Sequence, residues 1–153
     1  GYGSLRPAID LAHATGRGIF VLALTSNPEG PAVQHARLGG VSVAGHVVAG
    51  ATADNAAAAA AGELGSVGLV VGATVGDAVA ELGLDLPGVN GAFLAPGVGA
   101  QGGTVDSLRR VFGTALPRVL ASSSREVLQA GPDVRSLARQ VEAVAAELRC
   151  LQE

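Results

Sequence analysis

The chain has 153 residues, 48% of them apolar, and a mean hydropathy of +0.41, enough to fill the core of one globular domain. Its net charge of −3 and its ten scattered basic residues, all arginine, exclude the basic stripe of a nucleic-acid binder. No apolar run reaches the length of a membrane span, and the single cysteine, Cys150, permits neither an internal disulfide nor a cysteine metal cluster.

Other features of composition narrow the class further. Aromatic residues make up only 3% of the chain, whereas alanine and glycine abound, so closely packed layers must exclude water in place of large side chains. The first residues have neither the basic start nor the apolar core of a signal peptide, and a cytoplasmic location is expected. Lysine is absent from the sequence. Arginine cannot replace it where a proton must be delivered, because the guanidinium stays charged at any working pH.

In chain order, Ser4 is placed to cap a first helix with Pro7 in its opening turn, Leu5, Ile9, Leu11 and Ala12 on its apolar side, and Gly16 at its end. Residues 19–24 form an unbroken apolar run, as expected of a parallel strand covered on both faces, and residues 25–31 are its polar exit loop. Residues 32–38 predict a short helix stopped at Gly39 and Gly40. Residues 41–50 fit either a strand or a helix, and the spacing of Val43, Val47 and Ala51 favours the helix. An alanine-rich helix is expected over 52–64, capped by Thr52 with Asp54 at its positive end.

Residues 67–73, 91–95 and 117–121 are the remaining apolar strands, with helices over 76–82, 104–112 and 124–129, and a last amphipathic helix over 133–148 that carries Cys150 just beyond it. Strands and helices alternate throughout, which argues a parallel sheet with right-handed crossovers. Four such strands make a small open α/β domain or half of an eight-stranded barrel, since a complete barrel needs about 200 residues or more.

The third strand runs into Pro96-Gly97-Val98-Gly99-Ala100-Gln101-Gly102-Gly103. Proline breaks the strand, and the glycines leave a backbone able to turn its N–H groups toward an anion. Thr104, with Asp106 behind it, caps the following helix, whose first N–H groups favour the same negative charge. A glycine-rich turn also fits a connection without a ligand. The fourth strand, however, ends in Ser122-Ser123-Ser124-Arg125, a second cluster of donors beside the first. In a parallel barrel the loops after strands seven and eight form the usual phosphate site.

The 96–103 loop resembles the phosphate loop of orotidine 5'-phosphate decarboxylases, in the form found in mycobacteria and their relatives. Leu24-Thr25-Ser26-Asn27-Pro28 and Val70-Val71-Gly72-Ala73-Thr74 resemble the ends of that family's fifth and sixth strands. The resemblance covers the whole chain but only part of the family's barrel, and it implies the C-terminal half of a (β/α)8 barrel, strands five to eight with their helices. It also implies conversion of orotidine monophosphate to UMP and carbon dioxide without a cofactor or metal, in a cytoplasmic homodimer.

Residue by residue, the resemblance puts the phosphate on Gln101, on Arg125 and on the backbone N–H groups of Ser124 and Arg125, with Gly99 and Gly102 shaping the loop. Ser26 then reads the amide edge of the pyrimidine, and Pro96 shapes the pocket and touches the ring. The family's lysine and aspartate array, which favours the carbanion and returns a proton to it, comes from earlier strands and from a dimer partner. With no lysine, this chain is expected to contain no catalytic residue and to be inactive alone. Two other readings stand beside this one: another phosphate-binding barrel enzyme, and a non-catalytic half-barrel that dimerises through its open edges. His13, His35 and His46 have no metal-ligand spacing and are expected on helix surfaces.

Overall fold

The computed structural model describes residues 1–149. Cys150 lies outside the described residues. The fold is α/β, with a four-stranded sheet in the order β1-β4-β5-β6, built from β1 (Ile19–Leu24), β4 (Val67–Val71), β5 (Phe93–Pro96) and β6 (Val119–Ser122). Every neighbouring pair in it is parallel. These are the four apolar runs of the sequence. The last one starts later than expected, because Pro117 and Arg118 belong to a 3-10 turn before it.

One face of the sheet is covered. Val21, Ala23, Val67, Leu69, Val71, Phe93 and Ala95 are buried beneath α1 (Arg6–Ala14), α3 (Val43–Asp54) and α6 (Val105–Phe112). Ile9 of α1, Ala44, Val48 and Ala51 of α3, and Leu108, Val111 and Phe112 of α6 complete this core. The Phe93 and Phe112 rings lie 5.6 Å apart in a tilted pair. The opposite face is open: Phe20, Leu22 and Leu120 are 41%, 58% and 53% exposed.

The first half of the chain departs from the sequence expectations in several places. Ser4 does not cap α1. Residues 2–5 already form a 3-10 turn, and the Ser4 hydroxyl donates to the Gly1 carbonyl at 2.8 Å. The helix expected over 32–38 is shorter and earlier, α2 (Gly30–Gln34), and is followed by a hairpin of β2 (Arg37–Leu38) and β3 (Val41–Ser42). Gly39 and Gly40 both have positive φ, the two-residue turn that matches the twist of a tight hairpin, so they join strands instead of stopping a helix.

Ser42 then caps α3 by accepting the Gly45 N–H at 3.0 Å, so α3 begins well before Thr52. Thr52 is therefore inside the helix, where its hydroxyl donates back to the Val48 carbonyl at 3.0 Å. Asp54 ends α3 instead of starting a helix. It accepts the Tyr2 hydroxyl at 2.6 Å and pairs with the Arg6 guanidinium at 2.9 Å, which holds its carboxyl below the usual range. Of the alanine-rich stretch only α4 (Ala56–Ala60) is a separate helix.

Between α3 and α4, Asn55 is buried and hydrogen-bonded on every side. Its Nδ2 donates to the Val67 and Val89 carbonyls at 2.8 and 2.9 Å, and its Oδ1 accepts the Val67 N–H at 3.0 Å. Gly65 and Gly91 pack directly on this amide, leaving no room for a side chain of their own. The second half of the chain follows expectation, with α5 (Ala78–Glu81), α6, α7 (Arg125–Leu128) and α8 (Val134–Arg149).

Candidate functional site at the carboxyl ends of the strands

Parallel strands in register bring their exit loops to one rim. The Gly72 N–H donates to the Leu24 carbonyl at 3.0 Å, the Ala73 N–H to the Pro96 carbonyl at 2.9 Å, and Pro96 stands opposite Ser122. The loops after β1, β4, β5 and β6 thus lie side by side. In open or closed parallel sheets this is the edge where ligands bind.

The loop of residues 97–103 closes on itself. Gly103 N–H donates to the Gly97 carbonyl at 3.0 Å, Gly99 N–H to the Gly103 carbonyl at 2.9 Å, and Gly102 N–H to the Gly99 carbonyl at 2.7 Å. Several glycine N–H groups are thus used inside the loop, whereas those of Ala100 and Gln101 have no intramolecular acceptor among the described residues. Behind the loop, α6 starts with a reciprocal cap: Thr104 Oγ1 accepts the Ser107 N–H at 3.1 Å and Ser107 Oγ accepts the Thr104 N–H at 2.8 Å. The cap on Thr104 agrees with the sequence expectation, and Ser107 is its partner.

Pro96, Gln101, Ser124 and Arg125 line one small cleft of about 60 Å³, together with Gly97, Val98, Ala100 and Ser122. The cleft is small, and its lining presents a guanidinium, a carboxamide and hydroxyls. Gln101 is exposed; its side chain leans over Gly97, and its amide makes no intramolecular hydrogen bond among the described residues. Arg125 is exposed and, among the described residues, forms no ion pair. A guanidinium with no carboxylate on it, a free amide and two free backbone donors suit an anion.

Gly99 and Gly102 belong to the same loop without lining the cleft, at φ +73° and +83°. Ser26 stands apart. It lines a second groove of about 210 Å³ at the ends of β1 and β4, with Thr25, Asn27 and Thr74. Three strand spacings separate β1 from β6, roughly 14 Å at ~4.8 Å each, so a ligand touching both places must be extended. His35 lines the Ser26 groove just past the end of α2, and is not the helix-surface residue expected. His46 Nε2 lies 3.3 Å from the Leu38 carbonyl. Among the described residues no group of three or more His, Cys, Asp or Glu is placed to hold a metal, and no helix is long and apolar enough to cross a membrane.

Glu126 is the site neighbour that the sequence did not single out. It follows Arg125 as one more charge at a helix start, and only the fold places its carboxylate against Gly99.

A four-stranded parallel α/β sheet with a polar cleft between the exits of its last two strands has the architecture of half an α/β barrel. The chain belongs to the orotidine 5'-phosphate decarboxylase / HUMPS family, whose model matches residues 1–141. It is 55% identical over 151 residues to the orotidine 5'-phosphate decarboxylase of Salinispora arenicola, covering 97% of this chain and 51% of that protein. With the Streptomyces coelicolor enzyme of the same name it shares 54% identity over 152 residues, again 97% of this chain and 51% of the relative.

Among solved structures, a Streptomyces avermitilis protein assigned as an orotidine 5'-phosphate decarboxylase superposes with a TM-score of 0.85 at 50% identity. The match covers 99% of this chain and 51% of that one. The Leishmania donovani OMP decarboxylase gives a TM-score of 0.61 at 27% identity over 97% of this chain and 53% of its own. These neighbours are TIM barrels, and the chain spans about half the length of the relatives it matches, as a C-terminal half would.

Proposed function

We propose that these residues form the phosphate-gripping half of an orotidine 5'-phosphate decarboxylase, a cytoplasmic, homodimeric enzyme that makes UMP and carbon dioxide without a cofactor. The observation that carries this reading is the meeting of Gln101, Ser124 and Arg125, which forms no ion pair among the described residues, around one small polar cleft, in a chain of this family. Phosphate binds to Arg125, to the Gln101 amide and to nearby backbone N–H groups, while Gly99 and Gly102 keep the loop in shape. Pro96 forms the wall between the phosphate and the ring. Ser26, in the neighbouring groove, takes the amide edge of the pyrimidine, and the roughly 14 Å across the rim suits a nucleotide lying along it.

The chemistry needs more than this grip. Loss of carbon dioxide leaves a carbanion on the ring, which requires a stabilising field and a proton donor. No lysine occurs in the sequence, so the 153-residue chain binds without turning over. Binding energy from a remote phosphate is nonetheless useful to catalysis, because it can hold loops closed around the reacting centre.

Calorimetric titration with UMP tests the reading. The 153-residue chain is expected to bind UMP, Arg125→Ala to lose at least about tenfold in affinity, and neither to release carbon dioxide from orotidine monophosphate. Equal affinity in the variant would remove Arg125 from the site. Tighter binding of ribulose 5-phosphate than of UMP would favour a different phosphate-binding barrel enzyme. A second reading, a non-catalytic half-barrel that pairs with a copy of itself, is favoured by the open sheet face at Phe20, Leu22 and Leu120.

A further inference from the structure

The carboxylate of Glu126 joins three parts of the molecule. Its Oε1 accepts a hydrogen bond from Gln140 Nε2 of α8 at 3.3 Å, and its Oε2 accepts one from Ser123 Oγ at 3.4 Å. The same group occupies the space into which a Cβ on Gly99 would project. Gly99 has φ +73° and both donates and accepts within the 97–103 loop, so whatever fixes Gly99 fixes the loop.

The placement of this charge needs a reason. A carboxylate beside a cleft for an anion opposes binding, since like charges repel most where water is scarce. Helix capping does not account for it either: α7 has four residues, too few for an appreciable dipole, and Ser124 makes no side-chain cap. The three contacts do account for it. They tie α8 and Ser123 by hydrogen bonds to a carboxylate that packs against Gly99 at the back of the loop, an arrangement an apolar side chain could not make.

We propose that Glu126 is a positioning residue that holds the 97–103 loop in its anion-binding shape and couples that shape to α8 through Gln140. The inference rests on the phosphate reading of the loop for its purpose, but not for the coupling itself. Gln140 is not among the residues that line the cleft, and its hydrogen bond to Glu126 links it to the loop.

Amide hydrogen exchange in the ligand-free 153-residue chain tests the coupling. The N–H groups of Gly99, Gly102 and Gly103 close the loop and serve as reporters, and the Leu69 N–H, bonded to the Ala92 carbonyl, serves as reference. In Glu126→Ala the three reporters are expected to exchange at least tenfold faster with the reference unchanged. Glu126→Gln, which keeps an acceptor for Gln140 and a partner for Ser123, should stay within about twofold of the wild type. Gln140→Ala should loosen the same three amides, and it decides the matter alone if Glu126→Ala does not fold.

Unchanged reporters in the alanine variants, or a glutamine variant as loose as Glu126→Ala, would overturn the proposal. UMP titration of the same proteins adds the functional arm: Glu126→Ala should bind about tenfold more weakly, and Glu126→Gln at least as tightly as the wild type. A wild-type chain that exchanges as expected but binds no UMP would sink the phosphate reading and leave the coupling standing.

Discussion

Two glycines of the phosphate loop look alike in sequence and differ in what surrounds them. Gly99 and Gly102 both have positive φ, so alanine at either costs about 1–2 kcal/mol of backbone strain. Nothing lies within 4 Å of a Cβ on Gly102, whereas one on Gly99 would collide with the Glu126 carboxylate. Gly102→Ala is therefore expected to lower the melting temperature by a few degrees and to leave most of the UMP affinity. Gly99→Ala should lower it further and weaken UMP binding at least about tenfold, because either the Glu126 carboxylate swings away and gives up its bonds to Ser123 and Gln140 or the loop shifts. Thermal melts and titrations of the pair check this, and equal effects would mean that the Gly99–Glu126 contact is unimportant. Gln101 and Arg125 were legible in sequence because each stands in a loop leaving a strand, Gln101 within a glycine-rich motif that resembles the family's and Arg125 behind a serine cluster. Glu126 was not, since its role depends on Gly99, a contact made only when the exits of β5 and β6 come together.

At the scale of elements, the sheet was readable and the connection between β1 and β4 was not. An unbroken apolar run reads as a parallel strand, so β1, β4, β5 and β6 stand out, although β1, expected to be covered on both faces, is covered on one only. The hairpin does not, because Gly39-Gly40 serves equally as a helix stop or as a two-residue turn, and Ser42 and Thr52 are both acceptable caps until packing selects one. Asn55 shows the same limit from another side. Read in sequence it is a polar residue before an alanine run; in the fold it joins the end of α3 to β4 and to the turn before β5 by three hydrogen bonds. Asn55→Ala leaves one buried N–H and two carbonyls without this partner, at a cost of about 3 kcal/mol and a fall in melting temperature of roughly 10 °C. Asn55→Asp, which keeps the acceptor for Val67 but loses both donated bonds, should also destabilise. A loss under about 1 kcal/mol on denaturant unfolding would show that water replaces the amide there.

For the whole molecule, the alternation of side chains along the strands leaves an asymmetry that the helices do not correct. Val21 and Ala23 of β1 point to the covered face and are buried, while Phe20 and Leu22, which alternate with them, are 41% and 58% exposed on the other face with Leu120. β1 and β6 are also edge strands, each with one row of unpaired backbone groups. In relatives twice as long, further barrel strands are available for both places. In the 153-residue chain alone, an apolar parallel face and two open edges favour association. A two-fold axis along the strands keeps all strands parallel and sets β6 of one copy beside β1 of the other, so two four-stranded sheets close into eight strands without a remaining edge. Light scattering at tens of micromolar is expected to give the mass of a dimer, and Leu22→Lys, which places a charge on the open face, to shift it toward monomer with little change in the helical circular dichroism. A strict monomer that binds no apolar dye would mean that the face is already covered in solution, and the half-barrel reading would fall with it.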